Sequence, residues 1–193
     1  MRTTIHTSIA ITLLVMLSIA LLGNTTSVYA DPEVTAVSPR MYLPLVLAPG
    51  NPGQPADETA IREEIVALVN SERAKNGCGP VILNPLLTNA AQAHAEDMAV
   101  NRFFAHINLQ GQTPGQRITA TGYRWMRVGE NIAAGQTTAQ QVMLDPQYGW
   151  MFSAVHRANI LNCEFTELGV GHIELPGSPF THYWVQKFAR PML

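Results

Sequence analysis

The apolar residues of this chain change their spacing once along its length, and that change restricts what it can fold into. Between Asp57 and Asn101 they recur every three or four positions, whereas from Leu168 to Phe188 β-branched and aromatic residues gather in two short runs. Ile61, Ile65, Leu68 and Val69 mark one helical face, with Asp57 as its N-cap and Gly77 as its stop. Asn84-Pro85 supplies a cap followed by proline at the first helical position, and Leu87, Ala91, His94 and Met98 then share a face through Asn101. His94 therefore points inward with the apolar stripe; a core histidine bonded to backbone is the expected role, and a direct role in a site is the alternative. At the other end, Pro176-Gly177-Ser178-Pro179 separates Leu168–Ile173 from Tyr183–Phe188 and predicts a β-hairpin. Helices early and strands late, without regular alternation, predict an α+β fold rather than a doubly wound parallel sheet.

The middle of the chain connects these two regimes. Phe103-Phe104-Ala105-His106 follows the second helix, and Gly111-Gln112-Thr113-Pro114 reads as a loop ending in the cap of a short helix through Ala120. Tyr123 to Val128 has strand character, with Gly129 at its end and Glu130 just beyond. Thr137 or Thr138 caps a helix through Leu144, which Asp145-Pro146 breaks. A further helical stretch is expected to carry Trp150, Ser153, His156 and Arg157 on adjacent turns, so that the serine and the histidine share a face.

The first thirty residues read as a secretory signal peptide: Arg2 is followed by an apolar Ile9–Leu22 and by Val28-Tyr29-Ala30 before Asp31, and cleavage is expected near Ala30. The apolar run is shorter than the roughly 20 residues a membrane span needs, so no transmembrane segment is expected in the mature chain; an uncleaved anchor is the alternative. Residues 31–57 hold six prolines and read as an extended linker, within which Met41–Leu47 is apolar enough for a short edge strand but is expected to lie loosely on the domain or on a neighbour. The expected organisation is signal peptide 1–30, linker 31–57 and one globular domain over 58–189. Past residue 30 the chain carries 11 Lys and Arg against 14 Asp and Glu, which leaves no basic excess for phosphates and argues against nucleic acid as a partner. An exported chain with two cysteines favours pairing of Cys78 with Cys163 over two free thiols, for about 4–5 kcal/mol in the chain-entropy picture.

An ordered set of segments then resembles a known family. Ala93–Ala99, Phe103–His106, Gly111–Pro114, Gly129-Glu130-Asn131-Ile132-Ala133, Ser153–Leu161, Leu168-Gly169-Val170-Gly171 and Tyr183–Phe188 look like the bacterial branch of the CAP superfamily, the cysteine-rich secretory, antigen 5 and pathogenesis-related proteins, also called SCP-like extracellular proteins. The resemblance covers about residues 58 to 189. It implies an α-β-α sandwich with helices on both faces of a small antiparallel sheet, and a cleft. In animal and plant members the cleft holds two histidines and two acids; the matching positions here are His106, Glu130 and His156, with Ser153 where the second acid would stand.

Two imidazoles and a carboxylate supply three ligands of an open zinc-type site, so His106, His156 and Glu130 are candidate ligands for zinc or another divalent metal, with Glu130 alternatively a general base. No cofactor follows from spacing alone, since the three residues come from separate elements. A Ser153-His156 nucleophile pair is weaker: three residues along a helix does not align a hydroxyl with an imidazole, and no G-x-S-x-G elbow is present. The competing reading is a buried polar network in which Glu130 ties a helix to a loop. Arg157 and Asn159 are expected to hold the segment after Gly129 rather than to touch a ligand, and Trp125, Trp150 and Trp184 to be core rather than to line a ligand groove. The expected function is a secreted, monomeric domain that binds a ligand (lipid, glycan or peptide) at this cleft. A metal-dependent extracellular hydrolase acting on peptide or cell-wall material and a secreted structural module with no ligand are the alternatives.

Overall fold

The computed structural model describes residues 56–192, so the signal peptide and all but the last two residues of the proline-rich segment, Met41–Leu47 included, lie outside the described residues. Helix α1 (Ala56–Lys75) begins one residue before the expected cap and ends ahead of Gly77, whose φ of 74° supplies the left-handed turn. Helix α2 (Pro85–Val100) starts where the cap chemistry places it, with the Asn84 side chain accepting from the Leu86 and Leu87 amides. Helix α3 (Pro114–Ala120) opens with a reciprocal Thr113–Gln116 capping box, and α4 (Ala139–Leu144) is capped by Thr138.

Four strands follow the order β1 (Ile82–Leu83), β3 (Glu167–Glu174), β4 (His182–Pro191), β2 (Trp125–Ala134) across one sheet. The three long strands are antiparallel, β3 and β4 as the expected hairpin, and the two-residue β1 adds a short parallel pairing to β3. Strand β2 corrects the sequence reading. It runs through Gly129 to Ala134 because its ladder with β4 continues unbroken, Gly129 opposite Phe188 and Ala133 opposite Trp184. Glu130 is thus a strand residue on the outermost strand of the sheet.

Alternation along β4 builds two cores, one on each face. Tyr183, Val185 and Ala189 pack with Leu87, Ala91, Ala95 and Met98 of α2 and Ile118 of α3. Trp184 and Phe188 pack with Ile65 and Val69 of α1, Val142 and Met143 of α4, and Ile160 of α5 (Ala154–Ile160). Helix α2 lies so close to β3 that a Cβ on Gly169 would stand 2.1 Å from the Leu87 carbonyl carbon, and one on Gly171 2.4 Å from that of Ala91. The result is the α-β-α sandwich of the α+β class. Cys78 and Cys163 form a disulfide, joining the chain after α1 to the chain after α5.

One further correction falls before α5. Trp150–Phe152 forms a 3₁₀ turn, and Ser153 is extended (φ −95°, ψ 122°) between that turn and the helix. Trp150 and Ser153 therefore do not share a helical face with His156. Ser153 is the N-cap position of α5 but its hydroxyl makes no capping bond.

Candidate functional site

The period of two along β2 and its register with β4 decide which polar groups meet. Glu130 lies opposite Lys187, and Asn131 opposite Gln186. The first pair enters the α2 and α3 side, where His94 and Arg117 await it; the second enters the α5 side, where Asn131 donates to the His156 carbonyl at 3.1 Å and to Gln186 Oε1 at 3.1 Å. Asn159 of α5 completes that side by donating to Glu130 O at 3.2 Å and Asn131 Oδ1 at 2.8 Å. It thus holds the segment after Gly129 as expected, whereas Arg157 stands exposed.

Glu130 is 7% exposed, and both of its carboxylate oxygens are occupied. His106 Nδ1 lies 2.8 Å from Oε1, Arg117 Nη2 donates to Oε2 at 3.0 Å and to Oε1 at 3.3 Å, and Lys187 Nζ donates to Oε2. His94 Nε2 is 4.0 Å from Oε1 but 3.0 Å from the Ala105 carbonyl, to which it donates. Arg117 also donates to the carbonyls of His106 and Gln112, both at 2.7 Å, and so clamps the loop that carries His106 onto α3. Arg117 and Lys187 were not singled out in the sequence. The legible signal was a lysine within Tyr183–Phe188, a strand buried on both faces.

The electrostatics follow from this packing. Burial alone would raise the Glu130 pKa, but the hydrogen bond from His106 and the charge and hydrogen bond of Lys187 prevail and hold it at about 2. Burial lowers the Lys187 pKa to about 8 against the opposing pull of Glu130. His94, fully buried, is lowered to about 4 chiefly by desolvation, which outweighs the attraction of Glu130. His156 is lowered by burial first and then by the neighbouring charge of His106.

His106 differs from the rest of this network in having a side chain that is 50% exposed. A carboxylate at Nδ1 fixes the proton there, which leaves the lone pair on Nε2. His156 is half-buried, and its Nδ1 has no hydrogen-bond partner among the described residues. In the chain segments that carry these imidazoles, apolar side chains are exposed: Phe104, Ile107 and Leu109 on either side of His106 in sequence, and Phe152 and Val155 just before His156. Trp150 and Trp184 are fully buried and donate to the carbonyls of Ile132 and Gln136, while Trp125 is half-buried beside Thr119.

The donor set does not fit a three-ligand metal centre. Every oxygen of Glu130 already accepts from a donor, and two of its three donors are cations that would repel a divalent ion. Among the described residues no group of three His, Cys, Asp or Glu is placed to hold one.

Comparison with known proteins agrees with the fold. The pattern of the cysteine-rich secretory protein (CAP) family matches residues 66–188. Uncharacterized protein YkwD of Bacillus subtilis (strain 168) is 35% identical over 133 residues, which cover 69% of this chain and 50% of that one. Uncharacterized membrane protein YlbC of the same organism is 29% identical over 59% of this chain and 32% of its own length. The chain therefore spans half or less of these relatives. Among solved structures, an extracellular protein containing an SCP domain from Bacillus anthracis str. Ames superposes with a TM-score of 0.59 at 28% identity, covering 73% of this chain and 45% of that one. An outer surface protein from Borrelia burgdorferi, at 20% identity, shares the fold with a TM-score of 0.60 over 67% of this chain and 92% of its own. No helix among the described residues is long and apolar enough to cross a membrane.

Proposed function

Because the chain belongs to the cysteine-rich secretory protein (CAP) family, we propose that it serves as an extracellular binding domain, exported with cleavage near Ala30, whose ligand contacts the imidazoles of His106 and His156. The observation that carries this reading is the contrast within one network. Glu130 has both oxygens engaged by the buried Lys187 and Arg117, although Arg117 Nε has no partner among the described residues, yet the histidine bonded to the same carboxylate is half-exposed with Nε2 unassigned to any protein donor. The disulfide supports an oxidising, extracellular compartment.

His106 Nε2 accepts a hydrogen bond, the flanking apolar residues receive the body of the ligand, and the carboxylate beneath fixes the ring. A metal-dependent hydrolase asks Glu130 to act as ligand or base, and its lone pairs are already engaged; a divalent ion would rely on two imidazoles alone. Nuclear magnetic resonance tests the binding reading with dihexanoylphosphatidylcholine below its micellar concentration and with short alanine-rich peptides. At least one probe is expected to shift the His106 and His156 resonances and to lose affinity in a His106→Ala/His156→Ala variant. Binding that survives in that variant, or no shift at either histidine, contradicts the proposal.

A further inference from the structure

A cavity separate from the His106 site opens between the end of β2, helix α4 and the loop that follows it. It measures about 380 Å³ and is lined by Ala134, Gly135, Gln136, Gln141, Asp145 and Tyr148. That volume lies within the range of small-ligand sites. None of these residues takes part in the Glu130 network.

The lining chemistry selects the ligand. No lysine or arginine is present and Asp145 is the one carboxylate, which disfavours anionic groups such as phosphate. Gln136 Oε1 is buried without a hydrogen-bond partner on a side chain that is itself part-exposed, so a rotation of that side chain towards the groove presents an acceptor that needs a donor. Asp145 Oδ1 accepts from the amides of Gln147 and Tyr148 at 2.8 and 2.9 Å, while Oδ2 forms no bond among the described residues. Tyr148 is 65% exposed, and its hydroxyl accepts from Gln147 Nε2 at 2.7 Å, which leaves the phenolic hydrogen to donate. Acceptors on the wall and an open aromatic ring beside them match a molecule with hydroxyl or amide donors along its edge and a C–H face.

Apart from the Gln136 side chain, much of the wall is in place before any ligand arrives. Gly149 N donates to the Asp145 carbonyl at 2.8 Å, and a Cβ on Gly149 would stand 2.5 Å from Asp145 N, so this loop closes as tightly as glycine allows. Gln141 is fixed by Thr137, whose amide and hydroxyl donate to its Oε1 at 2.9 and 3.0 Å. The Gln136 carbonyl is held by the Trp184 indole at 2.6 Å. Such preorganisation lowers the entropic penalty of binding a weak, polar ligand.

We propose that this groove is a binding site for a neutral glycan, with acetamido sugars favoured because their N–H adds a donor for Gln136 Oε1 and their ring face covers Tyr148. The test is titration of the isotope-labelled protein with chitotetraose, read by amide resonances. Saturable shifts are expected at Gly135, Gln136, Gln141 and Tyr148. Tyr148→Ala is expected to weaken binding roughly tenfold and Gln136→Ala severalfold, while Lys75→Ala, an exposed change at the end of α1, leaves it unchanged. Should Tyr148→Ala lose the dispersed spectrum of a folded protein, Gln136→Ala carries the test, since its backbone contact to Trp184 is retained. Absence of shifts up to tens of millimolar, shifts confined to His106 and His156, or equal affinity in both groove variants overturns the proposal. So does an alanine-rich peptide that shifts the same amides more strongly than the glycan.

Discussion

Glu130 faces two cations and a histidine with almost no access to water, so its carboxylate acts as their shared counter-ion. Glu130→Gln leaves Arg117 and Lys187 buried without compensation, and a loss of about 3–5 kcal/mol in urea unfolding is expected. Because its folded pKa of about 2 lies below the ordinary value of 4.5, its contribution is complete above pH 4.5 and disappears as pH falls towards 2. His94 acts earlier in the same direction. Its folded pKa of about 4 lies below the ordinary 6.5, so the unfolded chain takes up the proton first and stability drops as pH falls from 6.5 to 4, by about 3 kcal/mol. Urea midpoints at pH 7, 5.5 and 4 measure this slope, and His94→Gln is expected to flatten it. A slope unchanged by that substitution contradicts the assignment. The family resemblance points to His106, Glu130 and His156, of which His106 and Glu130 meet here; Arg117 and Lys187 were not legible in the sequence, because Lys187 reaches Glu130 only through the pairing of β2 with β4 and Arg117 only through the packing of α3 beside β2.

Elements whose ends are set by local chemistry were legible in the sequence, and those set by distant pairing were not. Asn84-Pro85, Thr113 and Thr138 carry caps that the structure reproduces. Strand β2 outruns its expected end because a glycine that punctuates an isolated segment is carried through by nine partners on β4. The break at Ser153 has no proline or glycine to announce it in Phe152-Ser153-Ala154. These differences have measurable consequences. Asn84→Ala, which removes a cap bonded to Leu86, Leu87 and Glu167, is expected to cost about 1–2 kcal/mol, whereas Ser153→Ala, with no capping bond to lose, costs less than about 0.5 kcal/mol. Gly171→Ala drives a methyl group into the α2 backbone and is expected to cost about 1–3 kcal/mol or more. Thermal or urea unfolding of the three variants ranks them, and a Ser153→Ala penalty as large as that of Asn84→Ala contradicts the capping assignment.

Across the whole molecule, the disulfide and Arg73 fasten the same two regions. The disulfide spans 85 residues, and Arg73, 1% exposed, donates to the carbonyls of Gly79, Ile160, Asn162 and Phe165. Cys78→Ser/Cys163→Ser is therefore expected to lose about 4–5 kcal/mol yet keep the native amide spectrum around His106 and Glu130; loss of that spectrum means Arg73 does not suffice. The sandwich as a whole puts a buried, satisfied carboxylate beneath a half-exposed imidazole at the outermost strand, and the functional account depends on Glu130 being a counter-ion rather than a metal ligand. Long-range proton–nitrogen spectra of His106 and His156 at pH 7, recorded with and without one equivalent of zinc, examine this directly. The expected result is His106 protonated on Nδ1 in both spectra, with Nε2 shifting little. A stoichiometric shift of Nε2 on both histidines, abolished by Glu130→Gln, would make the site a metal centre and contradict the account.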